Sequence, residues 1–223
     1  YTCRSPRIQQ VTVRAVPLHL GVSISMTSDK HIYRKNLMAQ RKAHHLAHGA
    51  TAGDKLATQF LAQPILPTGQ WTIAAYLPVG SEIDPTALMH HLQNSGHQLC
   101  LPFCAATDQA ASFRAFQLGD DLAADGLGIA APQKDHPCQP DIVLLPLLAF
   151  DRQGNRLGRG GGTYDRTLQT LRAQHQIRAI GLAYDMQMVD NCPVEPHDQP
   201  LDAILSEARY LDFAPSQAPK KAT

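Results

Sequence analysis

No stretch of this chain runs to 18 apolar residues, which excludes a helix that crosses a membrane. Charge of one sign is missing too. The formal net charge is +1 over 223 residues, so no bulk field favours nucleic acid or an anionic membrane, and neither is expected as a partner. Any cationic function must be local. Cysteine is sparse and odd in number: Cys3, Cys100, Cys104, Cys138 and Cys192 stand at spacings that fit no zinc template. Free, reduced thiols and a cytoplasmic location are the expectation. No G-x-S-x-G occurs, and no cysteine sits in an activated context. No internal repeat or interdomain linker interrupts the chain.

What is present is a globular composition, 43% hydrophobic and 17% charged, which argues against disorder. Residues 1–27 show neither helical period nor alternation, and are expected to be an extension outside the domain, disordered or artefactual, with a natural start at Met26. Thr27, Ser28 and Asp29 are N-cap residues ahead of the helix-forming run KHIYRKNLMAQRKAHHLA. Lys30, Arg34 and Arg41 fall on one side of that helix, while Tyr33 and Leu37 share a neighbouring face. Gly49 and Gly53 are expected to end it, with a short second helix over 55–66.

Strand signals follow at 72–78 and 97–101, the second ended by Pro102, with a helix over 87–95 between them. This β-loop-α-β grammar belongs to a parallel sheet, in which loops at the carboxyl ends of strands face the ligand crevice. Glu82 lies in such a loop. SFRAFQL reads as a strand, GDDLAADGLGIAAP as a loop, and DIVLLP as the most convincing buried strand. A helix over 164–174 and a strand over 177–184 come next, and residues 214–223 read as a C-terminal tail.

The most informative stretch is Phe150–Arg166, FDRQGNRLGRGGGTYDR, which puts Gly158, Gly160, Gly161 and Gly162 in five residues with Arg156 and Arg159 interleaved. Glycines that dense serve close approach or positive φ, and the arginines suggest an anion such as phosphate. No lysine follows as in Walker A, and the third glycine of G-x-G-x-x-G would fall on Thr163. Carboxylates suited to magnesium beside nucleotide phosphates are Asp165, then Asp198 or Asp202.

GNRLGRGGGTYDR resembles the signature loop of the 5-formyltetrahydrofolate cyclo-ligase family, also called 5,10-methenyltetrahydrofolate synthetases. KHIYR, YLPVGSEIDP, FRAFQLGDDLAADGLGIAAP and EPHDQPLDAIL are similar to further family segments in the same order, so the resemblance covers residues 28–213 as one domain. It implies a three-layer α/β/α fold with a central, mostly parallel sheet. It also implies ATP- and Mg²⁺-dependent cyclisation of 5-formyltetrahydrofolate to 5,10-methenyltetrahydrofolate through a phosphorylated formyl oxygen, by a monomer whose partner is this small molecule.

Carried over by position, Lys30 and Arg34 match basic residues that contact ATP phosphates. Arg156, Gly158, Gly160, Gly161 and Gly162 match the loop around the triphosphate, with Arg159, Thr163 and Tyr164 beside them. Asp165 matches a magnesium ligand and Asp198 a second; Arg156 and Asp165 are the expected catalytic pair. Glu82 matches a folate-contacting acid, and Tyr76, Leu77 and Tyr164 match residues lining that pocket. Thr163 departs from the pattern, standing where relatives carry the first of two adjacent tyrosines. Two rival readings remain: another ATP-dependent enzyme on this scaffold, and a non-catalytic nucleotide- or sugar-phosphate-binding regulator.

Overall fold

The structure, a computed structural model, describes residues 26–66 and 68–213. The expectations for the N-terminal extension before Met26 and for the tail at 214–223 lie outside the described residues.

Seven strands form the central sheet in the order β11-β10-β9-β6-β1-β2-β3. In sequence these are β1 (Thr72–Ala74), β2 (Gln98–Phe103), β3 (Ser112–Phe116), β6 (Ile142–Pro146), β9 (Arg178–Ala183), β10 (Ala203–Ser206) and β11 (Tyr210–Asp212). All pairings from β10 across to β2 are parallel, and the edge strands β11 and β3 pair antiparallel. Two small hairpins, β4 (Leu122–Ala124) with β5 (Ala130–Pro132) and β7 (Ala149–Phe150) with β8 (Arg156–Leu157), stand apart from the sheet.

Side-chain alternation builds the layers. Ile73, Leu99, Ile142, Leu144, Ile180 and Leu182 point to one face, where α1 (Met26–Leu61) and α2 (Thr86–Asn94) cover them with Leu56, Phe60, Leu88 and Met89. Ala74, Cys100, Val143, Leu145, Ala179 and Ile204 point to the other, where α3 (Thr163–Gln174) packs Leu168 and Leu171. The expected three-layer α/β/α fold with a mostly parallel sheet is the one observed.

Local expectations fail in four places, each for a tertiary reason. The helix expected to stop at Gly49 and Gly53 runs unbroken for 36 residues. Each glycine disfavours helix by about 1 kcal/mol, but Ala52, Leu56 and Phe60 are buried just beyond and hold the helix to the sheet. Gly53 is needed for approach, since a Cβ there would stand 2.7 Å from the Asp84 carbonyl oxygen. Pro102 does not end β2, which continues to Phe103 against Ser112. Pairing with β1 stops at Cys100, so no neighbour on that side requires the N–H that proline lacks. GDDLAADGLGIAAP folds as the β4–β5 hairpin, and β11 adds an edge strand that no alternation announces. The five-strand parallel core needs that edge closed.

Arg178, 4% exposed at the start of β9, ties distant segments together. It donates to Ile65 O at 2.9 Å, Tyr210 OH at 2.7 Å and Asp212 Oδ2 at 2.6 Å. Arg178→Ala is expected to lower unfolding free energy by about 2 kcal/mol, because it takes the buried donor from the Ile65 carbonyl, while Asp212 keeps the Tyr210 hydroxyl. The midpoint of urea unfolding reads this, and a loss below about 1 kcal/mol would show the cluster to be solvated.

Candidate active site

The strand order reverses between β1 and β6: the chain moves outward one way from β1 to β2 and the other way from β6 through β9 to β10. Loops leaving the carboxyl ends of β1 and β6 therefore diverge and leave a crevice, the usual place for a ligand in such sheets. A cleft of about 270 Å³ lies there.

The β1 side supplies Tyr76, Leu77 and Glu82, all lining the cleft. Tyr76 is buried and donates its hydroxyl to Ile83 O at 2.8 Å, which bends the segment back on itself. Glu82 is only 4% exposed. Its Oε2 accepts Val79 N–H at 2.9 Å and its Oε1 lies 3.8 Å from Arg159 Nη1. Burial pushes the Glu82 pKa above the ordinary carboxylate value, against the opposing pull of the Val79 N–H and of Arg41 and Arg159.

The β6 side supplies the glycine loop, delivered by the β7–β8 hairpin. Asp151 anchors that hairpin: Oδ1 accepts Gln153 N and Asn155 N, and Oδ2 accepts Asn155 Nδ2 and Cys192 N, all within 3.0 Å. Gly160 and Gly162 have φ of +104° and +65°, a backbone region that favours glycine. Gly158 and Gly161 differ. Neither has positive φ, and nothing stands nearer than 3.6 Å to where a Cβ would be. Neither backbone nor packing demands glycine there, so the open space fits the approach of a ligand. Arg166 Nη2 ties the loop down through Gly161 O at 2.8 Å and Thr107 O at 2.6 Å.

Gly162 is also the N-cap of α3 and offers no side-chain cap, so the amino end of the helix opens on the loop. Thr163, Tyr164 and Asp165 in its first turn all line the cleft. Burial raises the Tyr164 hydroxyl pKa far above its ordinary value and keeps it neutral. Arg156 Nη2 donates to Asp165 Oδ1 at 2.6 Å, and Gln199 N donates to the same oxygen at 3.0 Å.

From α1, Arg34 reaches the cleft and donates through Nε to Gly158 O at 3.1 Å. Lys30 does not line it directly. Its Nζ pairs at 2.9 Å with Oε1 of Glu195, which does. That pairing holds the Glu195 carboxyl below the usual carboxylate range. Glu195, His197 and Asp198 bring their ligand atoms within 4.8 Å of one another at the rim. Asp198 Oδ2 also accepts Glu195 N–H at 2.7 Å. Asp202, the alternative to Asp198, points elsewhere and pairs with Arg172 at 3.0 Å.

Apart from Asp202, the residues expected in the site sit in this cleft or one contact from it. Sequence reasoning gave no role to Glu195, His197 or Arg166, which ties the loop down, nor to the wall that the β4–β5 hairpin contributes through Asp125, Leu127 and Ile129. The Asp-Gly flanked by paired alanines was a hairpin signal for that wall. Glu195 and His197 lay inside a segment quoted for its resemblance. Cys100, Cys104, Cys138 and Cys192 are free thiols, as expected. No described helix is long and apolar enough to cross a membrane.

Comparison with known proteins places this geometry. The 5-formyltetrahydrofolate cyclo-ligase of Escherichia coli (strain K12) is 32% identical over 170 residues, covering 72% of this chain and 91% of that protein. The one from Mycolicibacterium smegmatis is 38% identical over 151 residues, covering 63% and 75%. The NMR structure of Aquifex aeolicus 5,10-methenyltetrahydrofolate synthetase shares the fold, with a TM-score of 0.70 over 86% of this chain and 96% of that one at 22% identity. The Mycoplasma pneumoniae 5,10-methenyltetrahydrofolate synthetase matches with a TM-score of 0.61 at 25% identity, over 80% and 99% of the two chains. The sequence profile of the 5-formyltetrahydrofolate cyclo-ligase family covers residues 26–207, and this chain belongs to that family.

Proposed function

We propose that this protein closes 5-formyltetrahydrofolate to 5,10-methenyltetrahydrofolate at the expense of ATP, with Mg²⁺, releasing ADP and phosphate in the cytoplasm. The observation that carries the reading is the pairing of two unlike walls in one cleft. A buried acid, Glu82, faces an arginine- and glycine-rich loop at a helix amino end, and Arg159 spans the two. An acceptor-only carboxylate suits the N–H groups of a pterin. The loop, Arg34 and Arg156 suit a polyphosphate.

The formyl oxygen attacks the γ-phosphorus and the bond to ADP breaks. N10 then gives its lone pair to the formyl carbon and loses its proton. The carbon–oxygen bond breaks, and the former formyl oxygen leaves in phosphate. Phosphorylation is what makes that oxygen a leaving group. The protein's task is positioning and charge neutralisation, without a nucleophile of its own.

In this reading Arg156 and Arg34 hold phosphate oxygens, and Arg159 turns from Glu82 toward them when folate arrives. Magnesium would be held by Asp198, clustered with Glu195 and His197, and by Asp165, which lines the same cleft; the carboxylates are the hard oxygen donors the ion prefers. Bound there, it would supply charge neutralisation to the phosphates. Asp165 has a second duty, since its Oδ1 fixes the Arg156 guanidinium. Tyr76, Leu77 and Tyr164 line the folate side. Thr163 leaves that wall with one aromatic ring fewer than a Tyr-Tyr pair would give.

Purified protein given ATP, Mg²⁺ and 5-formyltetrahydrofolate is expected to generate the near-ultraviolet band of the methenyl product. Absence of the band with folded protein would favour a non-catalytic binding protein. Arg156→Ala should raise the KM for ATP by roughly one to two decades, the worth of a charge-assisted contact of about 1.5–3 kcal/mol. Unchanged ATP kinetics would remove Arg156 from the phosphate site. Glu82→Gln should raise the KM for folate by a similar factor and leave that for ATP nearly alone; equal damage to both would undo the division of the cleft.

The same Glu82 variant carries a stability signature. The folded protein keeps the Glu82 proton at pH values where the unfolded chain has released it. That contribution is fully present below the unfolded pKa and is lost as pH rises through the folded one. Glutamine stays neutral throughout. Glu82→Gln should therefore melt above the wild type at pH 7, with the gap closing as pH falls below about 4. Equal melting temperatures at neutral pH would mean that the ionised acid is fully compensated.

A further inference from the structure

Arg41 is 3% exposed, yet it carries a charge that the phosphate chemistry does not use. It stands on α1 two turns beyond Arg34, and its guanidinium reaches both sides of the strand-order reversal. Nη1 donates to Leu147 O at 3.0 Å, just past β6. Nε donates to Ser81 Oγ at 3.2 Å, in the loop past β1. Its charge acts on Glu82, the neighbour of Ser81. Burial depresses the pKa of Arg41, so the site carries a desolvation cost that a hydrocarbon of equal volume would not. Tying down Leu147 does not require that charge, because Gln187 Nε2 already donates to the same carbonyl at 2.7 Å. What Gln187 cannot supply is a cation.

We propose that Arg41 is a positioning residue for substrate recognition: it clamps the Ser81–Glu82 loop to the end of β6 and supplies the buried cation that keeps Glu82 a hydrogen-bond acceptor. This rests on the reading of Glu82 as the acid that receives the pterin.

The groups around Glu82 single out Arg41. From the glycine loop comes Arg159, whose side chain is 50% exposed at 3.8 Å, so water and salt screen it. From the segment after β1 comes Tyr76, and from α3 Tyr164; burial raises both hydroxyls, which stay neutral. Val79 N–H comes from the loop itself. Arg41, from α1, is the buried cation of the set. Its place between the two halves of the sheet also makes the acid's position depend on both strand ends at once.

Two substitutions separate charge from scaffold. Arg41→Gln removes the cation and keeps a donor; Arg41→Lys keeps the cation and removes the fork. One readout is the pH dependence of kcat/KM for 5-formyltetrahydrofolate. The other is the Glu82 carboxyl titration by carbon NMR on protein enriched at the glutamate carboxyl, assigned by its disappearance in Glu82→Gln. In Arg41→Gln the acid limb and the NMR midpoint should both move up by about one pH unit. That shift is a roughly tenfold loss of kcat/KM below the limb, with the KM for ATP unchanged. Arg41→Lys should restore both to near the wild-type values. A cooperatively melting Arg41→Gln with an unmoved Glu82 midpoint would overturn the proposal. If Arg41→Gln does not fold, Arg41→Lys decides, since a raised midpoint with the charge retained also overturns it. The NMR titration needs no turnover, so a protein without cyclo-ligase activity would sink the functional reading while the Arg41–Glu82 coupling is still decided.

Discussion

Two residue pairs join the halves of the sheet: Ile73 lies opposite Ile142 and Ala74 opposite Val143. Thr72 and Asp141 extend the seam, with Asp141 N donating to Thr72 O at 2.8 Å and Thr72 N donating to Asp141 Oδ2 at 2.9 Å. At this seam the chain reverses its direction of travel across the sheet, so no crossover covers the carboxyl ends of β1 and β6. The candidate site lies in the gap that results. Glu82 arrives from one side and the glycine loop from the other, and both depend on a contact only a few residues long being made in register. The helices on each face hold that contact in place, because Ile73 and Ile142 bury under α1 and α2 while Ala74 and Val143 bury over α3.

Charge buried around the gap is arranged by geometry rather than by number. Asp151 is 1% exposed and accepts four hydrogen bonds, which makes it a rigid post for the hairpin that presents Arg156. Asp165 fixes Arg156 in turn. Glu82 is the exception. One backbone N–H and two cations do not offset its desolvation, and its pKa stays raised. A buried carboxylate whose desolvation is not offset by its protein partners is able to gain from the N–H donors of a ligand. The resulting conflict between stability and recognition is ordinary for a binding site.

The glycine loop shows how one sequence feature divides into separate physical causes. Gly160 and Gly162 answer to the backbone, since both have positive φ. Gly158 and Gly161 do not, and the space beside them is open. Thr163 begins α3 and faces the same cleft.

Local signals were sufficient wherever a short run carries its own physics. DIVLLP had to be a buried strand, and alternating strands and helices had to build a largely parallel sheet. Lys30, Arg34, Glu82 and the run 156–165 were named together because the family resemblance carries them as a set, and the structure brings Arg34, Glu82 and 156–165 to one cleft. Tertiary structure alone decided the rest. Gly49 and Gly53 were overruled by packing beyond them; Pro102 was tolerated because its pairing with β1 stops short; Arg41 shares a helix side with Arg34, but its bonds to Ser81 and Leu147 were set by the loops that arrive there. Asp165 was legible as an acid near phosphate, but its bond to Arg156 was not, nor was the cluster of Glu195, His197 and Asp198. The physical reason is common to these cases. Propensity and periodicity act over one or two turns of chain, whereas desolvation, close approach and charge pairing depend on which distant segment arrives alongside.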